Sequence, residues 1–401
     1  MKWYNRALCR TVQAGFYAAM PVLPYRMPEH LDGTDALPQW LGKQNIDRVL
    51  LVTDRFLRES GMTAPLEARL AEAGIFCAVY DETCPNPTVS NTEAARDVYQ
   101  QNQCQGIIAF GGGSVIDCAK AAGALVVYPN RHLNQLKGLL RVWRRLPPLV
   151  AIPTTAGTGS ETTVTAVITD DKTRHKYTMN NFTMIPRAAV LDAESVRTLP
   201  PHLTATTGMD ALTHAVEAYI GRSTTRKTRA MAEEAVRLIF RNLENSYRDG
   251  TDMEARKAML EAAYQAGNAF SRSYVGYIHA VAHSLGGQYN IPHGLANAVL
   301  MPIVLDAYGS AVHLKLHRLA VVAGIAGPEE DPAVAAAAFI KAIREMNRRM
   351  GIPEKLSGIR REDIPHMAQH AHREANPLYP VPVEYNAREL EVFYEQVADW
   401  S

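Results

Sequence analysis

The chain has 401 residues, 47% of them hydrophobic and 21% charged, with a formal net charge of +1. That size and balance describe a soluble globular chain of two or three domains, and they give no footing to a nucleic-acid or strongly acidic partner. Five cysteines (Cys9, Cys77, Cys84, Cys104 and Cys118), an odd number with no CxxC pair, fit a reducing, cytoplasmic setting better than a disulfide framework.

Residues 1–25 place Lys2, Arg6 and Arg10 ahead of AGFYAAMPVLPY, a loose imitation of a signal peptide. The apolar part is short, Pro21 and Pro24 break it, and it lacks a small-residue cleavage site. A docked N-terminal segment is expected. Nowhere does an apolar run reach the roughly eighteen residues of a transmembrane span.

Ile46 to Thr53 is the first apolar, β-branched run and reads as a buried strand, followed by a helix from Arg55. A second strand covers Ile75 to Asp81, the turn TCPNPTVS follows, and Asn91 to Gln101 reads as a helix. The third strand, Gly106 to Phe110, runs into Gly111, Gly112, Gly113 and Ser114, where a helix begins at once. Alternating strands and helices predict a parallel, Rossmann-like sheet. Glycines at a strand-to-helix junction let backbone approach a ligand, and a helix N-terminus favours phosphate, so GGGS is a candidate pyrophosphate cradle. It is not GxGxxG, and a tight capped turn has about even odds of explaining it.

Leu149 to Pro153 is a further strand, and residues 154–163, TTAGTGSETT, offer hydroxyl and backbone donors for ribose or phosphate. Ala166 to Thr169 and Ala188 to Leu191 read as strands, with Lys176 between them as a surface charge or a cation for cofactor phosphate or carboxamide. The basic cluster Arg141, Arg144, Arg145 reads as a solvated loop. After Pro200 and Pro201 strand-like runs give way to long helical periods. The expected organisation is an α/β dinucleotide-binding domain over 1–198, with an atypical segment over 1–30, and an all-helical domain over 199–401 that carries the metal chemistry.

Three histidines, His279, His283 and His293, lie in the apolar, glycine-rich stretch from Gly276 to Pro302. His279 and His283 share a helix face, and His293 follows in a Pro-His-Gly turn. Asp210 and His214, again four apart, add a carboxylate and an imidazole. Asp with three His suits Fe(II), Zn(II) or a similar ion. Four imidazoles compete for three places; His279 and His293 are favoured, and His283 is free to face substrate or cofactor. HExxH is absent, which removes support for a zincin-type hydrolase.

These motifs together resemble the iron-containing (group III) alcohol dehydrogenases of the dehydroquinate synthase-like superfamily. The resemblance rests on VTD at 52–54, PNPT at 85–88, GGGSVID at 111–117, PTTAGTGSE at 153–161 and TGMDALTHAVEAY at 207–219. It extends through HAVAHSLGGQYNIPHGLANAVLMP at 279–302 to ANPLYPVP at 375–382. It implies an α/β nucleotide domain, a helical domain and a catalytic cleft between them. It assigns Asp210, His214, His279 and His293 as metal ligands and His283 as the histidine near the nicotinamide. Gly112, Gly113 and Ser114 fall at the pyrophosphate, Thr154, Thr155 and Thr158 on the second cofactor loop, and Asn86, Thr165 and Lys176 at further cofactor-lining positions. Phe270 matches an apolar wall of the substrate pocket. Asp54 matches the acidic residue after the first strand, where a carboxylate accepts from ribose and repels a 2′-phosphate, favouring NAD over NADP.

The implied activity is reversible hydride transfer between a primary alcohol and its aldehyde, with NAD and Fe2+ or Zn2+, in a homodimer or larger homo-oligomer. A polyol or glycerol-type dehydrogenase is the alternative within the superfamily. A synthase would need basic residues beside the histidines, which the helical half lacks. A non-catalytic NAD- or metal-binding assembly module is disfavoured because the donor set and GGGS are intact. The first 25–30 residues and the ANPLYPVP ending depart from the common pattern.

Overall fold

The structure, a computed structural model, describes residues 3–172 and 176–400. It divides into two compact units, Pro24–Leu199 and a second made of Met1–Leu23 with Pro200–Ser401.

Among the described residues, nine strands lie in the first unit: β1 (Glu29–Leu31), β2 (Arg48–Val52), β3 (Phe76–Tyr80), β4 (Gly106–Gly111), β5 (Gly138–Leu139), β6 (Leu149–Pro153), β7 (Thr165–Thr169), β8 (Lys176–Asn180) and β9 (Ala188–Val190). Six form one sheet in the order β1-β9-β6-β4-β2-β3, all of it parallel. The other three form a small sheet, β5-β8-β7. Alternate residues of the central strands enter opposite cores. Val49, Leu51, Ile108, Phe110, Val150 and Ile152 pack on one face. Leu50, Val52, Ile107, Ala109, Leu149 and Ala151 pack on the other. Burial on both faces is why these strands read as continuous apolar runs rather than as alternation. Each large side chain removed from water in this way contributes about 1.5–3 kcal/mol.

Helix starts follow local chemistry. Thr88 and Asn91 form a reciprocal capping box at the head of the helix Val89–Gln101. Asp54 caps the short helix Arg55–Glu59, its side chain accepting from the Leu57 N–H.

The second unit is built from helices, including Pro201–Ile220, Arg226–Arg248, Met253–Ser273, Tyr277–Tyr289 and His293–Tyr308. Within it, the stretch His293–Ala311 is long and apolar enough to cross a membrane by length and composition, where the sequence reading expected no such segment. More than half of it is buried inside the unit, so its apolar composition serves the core.

Residues up to Leu23 group with the helical unit, whereas the expected division put residues 1–30 in the α/β domain. Trp3–Ala19 is a helix. Arg10 pairs at 2.9 Å with the buried Glu384 and donates to the carbonyls of Val381 and Pro382. Gln13 donates to the Tyr379 carbonyl, and Phe16 meets Tyr274 edge-on at 4.9 Å. These partners lie hundreds of residues away in sequence, so no local pattern reveals them.

Candidate metal centre and glycine turn

Asp210 and His214 lie in the middle turns of the helix Pro201–Ile220, one turn apart and both buried. His279 comes from the helix Tyr277–Tyr289. That helix ends at Asn290, which takes a left-handed conformation (φ 56°), and Pro292 then leads directly into the next helix at His293. The tight reversal brings His293 back beside His279, with ring centroids 5.3 Å apart. Gly294 is required here, because a Cβ would stand 2.3 Å from the Thr206 carbonyl oxygen on the Asp210 helix.

One donor atom from each of Asp210, His214, His279 and His293 falls within 4.8 Å of all the others. Asp210 Oδ1 stands 3.5 Å from His293 Nε2 and 3.8 Å from His279 Nε2. His279 Nε2 is buried with no hydrogen-bond partner. A buried polar atom left this way is costly unless something occupies it, and a divalent ion fits a set of three imidazoles and a carboxylate. Burial carries the His279 pKa well below its ordinary value and that of His293 to about 4, so both imidazoles are neutral and ligand-competent.

His283 stands outside this set. Its Nδ1 lies 2.6 Å from Glu374, which also accepts from the Tyr379 hydroxyl at 2.7 Å. Burial opposes charge on His283, but the Glu374 carboxylate outweighs it and raises the pKa. Its ring stacks on His293 at 5.1 Å and its side chain is 41% exposed. Phe270 lies face to face on His214 at 4.0 Å, so it forms an apolar wall beside the cluster.

In the α/β unit, β4 runs into Gly112, which caps the helix Gly113–Val127. The Thr154 N–H binds the Gly111 carbonyl, so the loop after β6 lies against the glycine turn. A Cβ on Gly113 would stand 3.0 Å from Thr158, and one on Gly112 3.4 Å from Thr155. The Asn86 N–H donates to Ser114 Oγ, and Asn86 itself is left-handed (φ 58°). Gly112, Gly113, Ser114, Asn86, Thr154, Thr155 and Thr158 thus form one neighbourhood. Thr165 and Lys176 sit at opposite ends of the β7/β8 pairing. The Thr165 hydroxyl is spent on Asn180, while Thr169, opposite Lys176, binds the Pro87 carbonyl. One carboxylate oxygen of Asp54 is spent on its helix cap.

The family description "Iron-containing alcohol dehydrogenase" matches residues 30–193, and "Fe-containing alcohol dehydrogenase family, C-terminal" matches 204–397. The chain belongs to the iron-containing alcohol dehydrogenase family. It is 38% identical over 353 residues to 1,3-propanediol dehydrogenase of Klebsiella pneumoniae, covering 87% of this chain and 91% of that one. It is 38% identical over 329 residues to NAD-dependent methanol dehydrogenase of Bacillus methanolicus, covering 81% and 85%. The crystal structure of a 1,3-propanediol oxidoreductase superposes with a TM-score of 0.89 at 36% identity, over 94% of this chain and 99% of that one. As a member of this family the chain is an oxidoreductase acting on alcohols, and the family works with NAD and a divalent metal.

Three residues of this iron-containing alcohol dehydrogenase escaped the sequence reading. Glu217, one turn beyond His214, is buried and receives the Gly276 N–H, the Ile278 N–H and His279 Nδ1 at 2.7, 2.9 and 2.6 Å. Burial pushes its pKa up to about 7, against the backbone donors that favour the carboxylate. As acceptor it assigns the Nδ1–H tautomer to His279 and turns Nε2 toward the cluster. Gly276 is required beside it, since a Cβ would lie 2.6 Å from Glu217 Oε1. Asn297 donates to Asp210 Oδ1 at 2.7 Å, and Glu374 holds His283. The signal for Glu217 was its spacing of three from His214 in an otherwise apolar helix; Asn297 and Glu374 had none.

Proposed function

We propose that this chain catalyses reversible hydride transfer between a small primary alcohol and NAD, with Fe2+ or Zn2+ held by Asp210, His214, His279 and His293. The observation that carries the reading is the buried cluster of those four residues, with His279 locked by Glu217. Held by these four residues, the ion would supply Lewis-acid polarisation of an alcohol oxygen, and NAD at the glycine turn would supply the hydride acceptor.

The chain's own residues do the rest. Glu217 fixes the His279 ring, and Asn297 fixes Asp210. Phe270 keeps one side of the cluster apolar and lowers the local access of water. Glu374, which also accepts from the Tyr379 hydroxyl, holds His283 by its Nδ1 and leaves Nε2 to orient the nicotinamide or move the alcohol proton. Gly112, Gly113 and Ser114 receive the pyrophosphate at a helix N-terminus. Thr154, Thr155, Thr158 and Asn86 line the same turn, with Thr165 and Lys176 as outer contacts and Asp54 at the ribose. The similarity to the methanol and 1,3-propanediol dehydrogenases supports a short substrate. A diol is the second reading, favoured by the propanediol relatives. Five free cysteines support a cytoplasmic setting, and a homo-oligomer is the assembly expected for the family.

The test is His279→Ala, assayed for bound metal and for NAD-linked oxidation of short alcohols in one sample. Metal retention and turnover should both vanish while the fold melts cooperatively. Near-normal turnover in metal-depleted mutant protein would sink the assignment.

A further inference from the structure

A cavity of about 480 Å³ with mixed apolar and basic walls lies within the α/β unit. Leu149, the first residue of β6, and Arg187, just before β9, line it. β4, β6 and β9 are parallel, and the glycine turn and its threonine loop follow the other ends of β4 and β6. The cavity therefore sits at the amino ends of the strands, away from the end where α/β sheets place their nucleotide.

Its lining is basic and uncompensated. Arg26, Arg145 and Arg187 all face it, and among the described residues none of the three has a carboxylate partner. Arg26 spends one donor on the Ile185 carbonyl. Burial lowers its pKa first, and the neighbouring Arg145 lowers it further. Asn181 also lines the cavity; it is 4% exposed, and its Oδ1 caps Thr183. Phe182, Trp143, Leu146 and Ile185 are among its apolar walls, and Trp143 is 71% exposed.

We propose that this cavity is a binding site for a small multiply charged anion, a phosphate or phosphate-bearing metabolite, distinct from the cofactor turn. Three arginines line a concavity of ligand size, and the guanidinium fork is the donor that planar and tetrahedral oxyanions recruit. A second copy of the chain docking here about a two-fold axis would set arginines against arginines, so a small anion is the occupant the charges favour.

The probe is inorganic phosphate, titrated at constant ionic strength into metal-loaded enzyme saturated with NAD, so that the glycine turn is already filled. Calorimetry and Trp143 fluorescence are read together. Saturable binding is expected, with sulfate competing and chloride not. Arg145→Ala and Arg187→Ala should each weaken it about tenfold or more, the loss of one charge-assisted contact. Asn181→Asp, which keeps the cap acceptor and adds a negative charge beside the arginines, should weaken it by at least as much. Trp143→Phe should remove the optical signal and leave the heat. Alcohol oxidation without phosphate should be unchanged in Arg145→Ala. The proposal is overturned by any of three results: phosphate that never saturates, binding indifferent to Arg145→Ala and Arg187→Ala, or a hexaglutamate peptide that binds where phosphate does not. It is also overturned if Arg145→Ala dissociates an oligomer in which Trp143 is shielded from acrylamide.

Discussion

At the candidate metal centre the groups available to a ligand are side chains carried by buried helices. At the glycine turn the approach is to backbone, opened because Gly112 and Gly113 lack side chains. The first region needs each donor locked by a second residue: Glu217 locks His279, Asn297 locks Asp210, and Glu374 holds His283. The second needs empty space, since Gly113 already touches Thr158 where a Cβ would stand. A side-chain site therefore fails by losing a supporting atom, and a backbone site fails by gaining one.

Glu217→Gln is the sharpest test of the first half. Glutamine keeps the volume but offers a weaker acceptor and a competing donor, so metal affinity should fall about 10–100-fold, read by competition with a chromogenic chelator. Gly276→Ala should act in the same direction, because the new methyl displaces the carboxylate from 2.6 Å. If Glu217→Gln retains metal as tightly as the parent, the locking account is wrong.

Gly113→Val tests the second half. Overpacking against Thr158 costs about 1–3 kcal/mol, which should appear as roughly a tenfold or larger rise in KM for NAD. Metal content should not move. A loss of metal alongside cofactor would erase the contrast between the two regions.

Acid titration separates them again. His293 has its pKa carried to about 4 by burial, and ligands bind metal only when neutral. Metal should therefore stay bound below the ordinary histidine range, near pH 6.5, and leave only as pH approaches about 4. The stability of metal-stripped protein has a defined sign. The folded state binds fewer protons than the unfolded one between those two values, so stability is present above the window and fades as pH falls through it. Melting curves of stripped protein at stepped pH check this, and a flat profile contradicts it.

The sheet was legible because β2, β4 and β6 are buried on both faces, which writes them as unbroken apolar runs. β1 was not read: two of its three residues are exposed. β5 has only two residues, and its pairing with β8 depends on a loop closing over a long stretch. The Asp210–His214 pair stood out because helix periodicity stacks residues four apart, and the structure brings that pair to His279 and His293. Glu217 obeys the same periodicity, but a glutamate in a helix reads as a surface acid until its burial is seen. The N-terminal helix was placed with the wrong unit because Arg10 finds Glu384 and Gln13 finds Tyr379, contacts no local window contains.

Asp54 carries two readings at once, and one substitution separates them. Its Oδ1 accepts from the Leu57 N–H as a helix cap, and the charge on the same carboxylate is what would exclude a 2′-phosphate. Asp54→Ser keeps a capping oxygen and removes the charge. Asp54→Ala removes both. A lost cap costs about 1 kcal/mol, so Ala should lower the melting temperature by a few degrees and Ser should barely change it. Both should improve turnover with NADP relative to NAD, since the charge is gone from each. If only the melting temperature responds and the NADP-to-NAD ratio stays fixed in both variants, Asp54 is a cap and nothing more. Discrimination between the two cofactors would then have to come from the rest of the turn, where the contacts are backbone and cannot repel a phosphate.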